Sequence, residues 1–243
     1  GFRFLLLGRL PYQGFFDRAR ADRESAALRA DGLDVCELPV SAYSTLGWLD
    51  DPITEPMLRL PPGLLVETVL HELVHATVYL ENHADFNESV ARFIGEEGSV
   101  RFYEGRGAPQ RARQRRLEVD DARRIDAELL RVRDDIGALY AQPLAAAARD
   151  AQRRSLDERA RRRIAGLSLE TEDATRLAAE LRMNDACLAV IGTYAADLDR
   201  FDELLARLGG DLRAFVARLA RAKHASEPLE ALLAETAETP VAQ

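Results

Sequence analysis

The stretch GLLVETVLHELVHATVYLE, residues 63–81, decides how this chain is read. Leu65, Val69, Leu73, Thr77 and Leu80 recur at helical spacing, and Pro61 and Pro62 just before them make a natural helix start. Three of the chain's four histidines, His71, His75 and His83, fall close together, and two of them frame His71-Glu72-Leu73-Val74-His75, an HExxH pattern. At this chain's own histidine and glutamate frequencies chance supplies about 0.006 such matches, so the pattern is a signal. Its spacing has a physical reason. Residues four apart on a 3.6-residue period project from one face, so the two imidazoles can grip one ion. Zinc favours such a nitrogen pair, and Glu72 on the adjoining flank is placed to act as general base toward a water that the ion acidifies.

The third ligand sets the subclass. A metzincin needs Gly and His at the third and sixth positions after His75; Val78 and Glu81 stand there, so that class is excluded. A glutamate on the next helix is the common remaining solution. Glu88, in Phe86-Asn87-Glu88-Ser89, is the first candidate. Asp85-x-x-Glu88 also reads as a capping box, which would give Glu88 a purely structural duty. Glu96 and Glu97 stand at a more usual separation for a helix hairpin, and His83 and Asp85 complete the alternatives.

Working outward, Phe2 to Leu7 and Leu33 to Val40 read as strands around a helix from Phe15 to Ala30 that Asp31-Gly32 closes. If the strands are parallel, this is a right-handed crossover opening a small N-terminal sheet. Ser41 to Pro62 is loop-like yet apolar, with Tyr43, Leu46, Trp48 and Leu49. After the HELVH helix, a second helix should run from about Asn87 to Glu97 and end at Gly98. Ile125, Leu129, Val132, Ile136 and Leu139 form a heptad-like stripe, and Leu156, Ala160 and Ile164 follow Pro143, which predicts a helical hairpin. Leu181 to Leu219 supplies two more helices broken at Gly209-Gly210, and Glu227 to Gln243 reads as a frayed tail. The expected fold is therefore α+β and mainly helical: a zincin-like HExxH helix pair, a small N-terminal sheet and a helical C-terminal half. The expected division is a metallopeptidase core over 1–105, a hairpin arm over 106–168 and core-completing helices over 169–243.

Several blocks taken together resemble one family, the bacterial zinc aminopeptidases of the predicted-aminopeptidase type. They are Pro11-Tyr12-Gln13-Gly14-Phe15-Phe16-Asp17, Ala42-Tyr43-Ser44-Thr45-Leu46-Gly47-Trp48-Leu49-Asp50-Asp51-Pro52, the HELVH helix and Phe86-Asn87-Glu88-Ser89, in that order. Weaker likeness continues at Met183-Asn184-Asp185-Ala186 and Gly209-Gly210-Asp211-Leu212. The resemblance implies a gluzincin-like peptidase with His71, His75 and Glu88 as Zn2+ ligands and Glu72 as base. It also implies a cell-envelope location on the periplasmic side, anchored as a lipoprotein through a segment upstream of this chain; the cytoplasm stays open. Read physically, the extended Tyr43 to Pro52 block sits where a zincin pairs with substrate backbone, and Asp50 or Asp51 could meet a substrate's α-ammonium. Tyr194, in Ile191-Gly192-Thr193-Tyr194, could donate to the tetrahedral oxyanion or simply pack.

Composition bounds the partners. With 33 Lys and Arg against 41 Asp and Glu the net charge is −8, which argues against sequence-blind binding to nucleic acid or anionic lipid. Even the apolar run Leu64 to Leu80 carries Glu67, His71, Glu72 and His75, so no membrane span is expected. Lys223 is the one lysine among the 33 cations, a bias we read as coding composition. Cys36 and Cys187 are too few for a disulfide framework and too far apart in sequence for a thiolate zinc site. The expected partner is a peptide substrate, cleaved by an aminopeptidase; an endopeptidase and a noncatalytic metal-stabilised interaction module are the competing readings. Oligomeric state is not readable.

Overall fold

The computed structural model describes residues 2–4, 8–10, 13–40, 42 and 52–234. Eleven helices account for almost all of the regular structure among them: α1 (Arg18–Ala30), α2 (Glu55–Leu58), α3 (Pro62–Thr77), α4 (Ala84–Gly105), α5 (Pro109–Tyr140), α6 (Ala146–Ala165), α7 (Ala174–Glu180), α8 (Asp185–Ala195), α9 (Leu198–Arg207), α10 (Leu212–Ala222) and α11 (Pro228–Leu233). The α+β expectation is corrected to a helical fold. The N-terminal sheet expected from Phe2–Leu7 and Leu33–Val40 does not form. The extended pairing that exists is a hairpin of three-residue segments, β1 (Phe2–Phe4) antiparallel to β2 (Gly8–Leu10). Leu33–Val40 has no strand, and the reason lies in its exposure: Leu33, Leu38 and Val40 are 55%, 57% and 72% exposed, so its alternation buries no apolar face.

α4 is the central element. It packs against α3, α5, α8, α9 and α10, and nearly every residue from Phe86 to Val100 is buried. Val90, Ala91, Phe93 and Ile94 meet Phe201, Leu204, Phe215, Leu219 and Leu232 in the main core, where the rings of Phe93, Phe201 and Phe215 pack in tilted and edge-to-face pairs. A second core joins the predicted stripe on α5, Leu129, Val132, Ile136 and Leu139, to Leu156, Ala160 and Ile164 of α6. The hairpin is not solvated on all sides: α5 also packs along α4 and α8.

Two boundary expectations are corrected. Gly98 does not end its helix; α4 continues to Gly105, because Gly98 keeps a helical backbone and gives room to Leu70 of α3, where an added Cβ would fall 2.6 Å from the Leu70 side chain. The stretch after Glu227 is not all tail, since α11 buries Leu232 completely; residues 235–243 lie outside the described residues. No helix of the described residues is long and apolar enough to cross a membrane.

α1 is thinly packed for its length, with Ser25 the one buried residue among its 13. What ties this segment to the helical body is a disulfide between Cys36 and Cys187, flanked by Asn184 Nδ2 donating to Val35 O at 3.1 Å and Asp185 N donating to Asp34 Oδ2 at 3.0 Å. Closing a loop of 151 residues removes about 5 kcal/mol of unfolded-chain entropy on the loop-closure account. Reduction is expected to raise proteolytic cleavage within residues 13–40 at least tenfold while the helical body stays protected. Mass-mapped limited proteolysis with and without reductant checks this, and equal cleavage in both would show that packing alone holds the segment.

Candidate metal centre

α3 and α4 are joined by a short turn through Asn82, whose φ of 65° is left-handed, so they lie as antiparallel neighbours. The turn is held by Asn87, 2% exposed: its Oδ1 accepts from Leu80 N at 3.0 Å and its Nδ2 donates to Leu80 O at 2.7 Å. The face of α3 turned to α4 carries Leu70, His71, Val74 and His75. Leu73 of the predicted stripe is instead 56% exposed.

This pairing brings His71, His75 and Glu88 together. Their ligand atoms lie within 4.8 Å of one another, and among the described residues no other such group of His, Cys, Asp and Glu exists. His71 Nε2 and His75 Nε2 are 3.0 Å apart, and Glu88 Oε2 lies 3.3 Å from the first and 3.5 Å from the second. Ligands about 2.0–2.1 Å from a tetrahedral zinc stand about 3.3 Å apart, so these three separations fit the donor set of such an ion. The imidazole rings meet edge-on at 84° with centroids 4.6 Å apart, and all three side chains are at least five-sixths buried. Burial opposes the charge on Glu88, but hydrogen bonding and charge from His71 and His75 outweigh it and hold the carboxyl well below the usual carboxylate range. His75 Nδ1 is buried and finds no hydrogen-bond partner among the described residues, so packing orients this ring.

The other carboxylates of α4 have different partners. Glu96 accepts from Arg92 Nε and Arg123 Nε, both at 2.7 Å; Glu97 takes a two-pronged contact from Arg116 at 2.7 Å on each oxygen and a third from Arg123 at 3.2 Å. They face α5, away from the histidines. His83 is the N-cap of α4 and Asp85 is exposed in its first turn, outside the cluster. No side-chain cap bond forms at that N-terminus, so the capping-box reading of Glu88 is not realised.

Glu72 stands between the histidines on α3 and is half-buried. Tyr194 of α8 lays its ring nearly parallel to His71, at 20° with centroids 6.3 Å apart, so the structure carries it to the edge of the cluster. Tyr79 is an addition. Four residues past His75 and beyond the end of α3, its ring lies 6.5 Å from that imidazole, and burial, then the charges of Glu88 and Glu81, push its phenol up. Helical spacing from His75 does not reveal it, because α3 ends at Thr77 and the extended Val78 breaks the period before Tyr79. Asp50 and Asp51 lie outside the described residues.

Comparison with known proteins adds the family. The family described as "Putative aminopeptidase" matches residues 1–231. The chain belongs to that family. No curated protein and no solved structure matches the chain. Membership in the aminopeptidase family points to peptidase activity, and within its matched span the one convergent ligand group among the described residues is His71, His75 and Glu88.

Two outcomes follow from this geometry. Asn87→Ala strands a backbone donor and acceptor at Leu80 and should cost about 2 kcal/mol of stability in denaturant unfolding; a change below a few tenths would show that the turn holds without its clamp. Burial opposes ionisation of Glu97, but Arg116, by hydrogen bond and charge, then Arg123 and Arg101 keep its carboxyl below the ordinary value. A depressed folded pKa stabilises above the unfolded pKa of about 4.3 and loses that contribution as pH falls through the folded value. Glu97→Gln should therefore flatten the loss of stability on acidification below about pH 5, measured by denaturation at successive pH values; an unchanged slope would contradict it.

Proposed function

We propose that this chain is a zinc-dependent metallopeptidase that hydrolyses peptide bonds, acting as an aminopeptidase. The observation that carries the reading is the set of three separations, 3.0, 3.3 and 3.5 Å, between two imidazole nitrogens and one carboxylate oxygen in a nearly dry site. Three protein ligands of this kind are the catalytic zinc pattern, whereas structural sites close all four positions with protein. His71, His75 and Glu88 would hold the ion, which when bound supplies Lewis acidity toward a carbonyl and a water.

The rest falls to the chain's own side chains. Glu72 takes the proton of the attacking water and delivers it to the departing amine, one group serving as base and then acid. Tyr194, beside His71, donates its phenol hydrogen to the developing oxyanion, where a preset donor is worth most in a water-poor site. Recognition of a free N-terminus needs a carboxylate, and Asp50 or Asp51 is assigned that role because an unpartnered ammonium would cost several kcal/mol to desolvate. The same reading places the protein on the periplasmic side of the cell envelope, supported by the Cys36–Cys187 disulfide, since such bonds persist in oxidising compartments.

Metal analysis joined to peptide cleavage tests the proposal. The parent should hold about one zinc per chain, and His71→Ala or His75→Ala should lose it. Glu72→Gln should retain zinc and lose nearly all turnover. Acetylating the substrate amine should slow cleavage at least tenfold, about 1.4 kcal/mol of transition-state binding. Full zinc in both histidine variants removes the metal site, unchanged turnover in Glu72→Gln removes the base, and equal rates on free and acetylated peptides make the enzyme an endopeptidase.

A further inference from the structure

The three ligands sit on two different helices, so the cluster is only as good as the alignment of α3 with α4. A zinc site tolerates about 0.2 Å in its ligand distances. Near the histidines, the turn pinned by Asn87 limits rotation at one end of the pair. The other end of α3 needs its own anchor, and it has one at Glu67, a single turn before His71.

Glu67 is gripped twice. Its backbone carbonyl lies against Gly95 of α4 so closely that a Cβ there would fall 2.9 Å from the oxygen. Its carboxylate meets Arg115 of α5, whose side chain is 5% exposed. Each nitrogen of that guanidinium serves a different helix: Nη2 contacts Glu67 on α3, Nε donates to Ser99 Oγ on α4 at 2.9 Å, and Nη1 donates to Glu118 on α5 itself at 3.1 Å. Ser99 is fixed in turn by donating to Glu96 O at 2.7 Å. The Arg115 stem also crosses Gly63 in the first turn of α3, where a Cβ would come within 2.9 Å of Cδ. A planar fork with fixed angles is suited to hold three elements in one register, which a lysine's single point charge is not.

We infer that Arg115 is a positioning residue of the metal centre, acting through Glu67 to set the axial and rotational position of α3 against α4 so that His71 and His75 meet Glu88. The inference rests on the metal-site reading above. Arg116 provides the internal contrast: one position along α5 it makes a comparably close pair with Glu97, but that pair joins α5 to α4 and leaves α3 untouched. Loss of Arg115 should therefore reach the metal, and loss of Arg116 should cost only stability.

The experiment uses the full chain with its disulfide intact, and compares the parent with Arg115→Gln, Arg115→Lys, Glu67→Gln, the double variant carrying both Arg115→Gln and Glu67→Gln, and Arg116→Gln. Zinc affinity is read by competition with a chromogenic chelator, unfolding of the metal-free proteins by circular dichroism, and site geometry by the visible bands of bound cobalt. Arg115→Gln and Glu67→Gln should each weaken zinc at least tenfold and shift the cobalt bands, Arg115→Lys should recover little, and the double variant should be no worse than the singles because the pair acts as a unit. Arg116→Gln should keep zinc within threefold of the parent. If Arg115→Gln does not fold, Glu67→Gln decides, being the milder change. Zinc within threefold of the parent in the folded Arg115 and Glu67 variants, or an equal loss in Arg116→Gln, overturns the inference and leaves the metal site standing. A parent that binds no zinc overturns the metal site and this inference with it.

Discussion

Three carboxylates buried along one helix govern this molecule. α4 is enclosed by its neighbours, yet it carries Glu88, Glu96 and Glu97 at 7%, 2% and 4% exposure. A carboxylate removed from water must be met by charge or by several hydrogen bonds, or it gives up its ionised form. Of the helices that pack on α4, two meet these groups. α5 offers guanidinium groups to Glu96 and Glu97, and α3 offers two imidazoles to Glu88.

The arginine side of this arrangement builds a rigid platform. Arg123 alone joins Glu96, Glu97 and Asp202, and its guanidinium also lies over the Phe93 ring at 5.3 Å, so it links α4, α5 and α9 while covering the aromatic core. Arg92 spans Glu96 and Asp126, where burial pushes the aspartate carboxyl up against the pull of the guanidinium. Such networks cost desolvation and contribute little net stability, but they permit few alternative packings. For a site whose ligands come from separate helices, that exactness of register matters more than stability, and it is why the helix bearing Glu88 can present it at a repeatable place.

Much of this was legible in the residues. The HELVH spacing placed two imidazoles on one face, and the heptad stripe on α5 and its partner on α6 set the second core; the returning helix was legible too, though it starts at Ala84, three residues before the expected Asn87. Other parts misled for physical reasons. Leu33–Val40 alternates like a strand, but alternation reports a buried face only if something covers it, and nothing among the described residues buries Leu33, Leu38 or Val40. Gly98 reads as a stop signal because glycine often ends helices, yet here the absent side chain admits Leu70. Glu96 and Glu97 have a suitable sequence separation for ligands, and separation carries no information about which face of α4 meets α3 and which meets α5.

The sequence by itself determined the local terms: helical period, the one-turn spacing of His71 and His75, the acid beside them, and an acidic balance unsuited to polyanions. Only the tertiary structure decided which glutamate faces the histidines, that Tyr79 and Tyr194 flank them, that Arg115 reaches Glu67 across three helices, and that Cys36 meets Cys187 across 151 residues. The division has one cause. Intrahelical neighbours follow from a fixed period of 3.6 residues, whereas contacts between helices depend on how each is rotated about its axis, and that rotation is settled by the whole set of buried charges and close-packed side chains together.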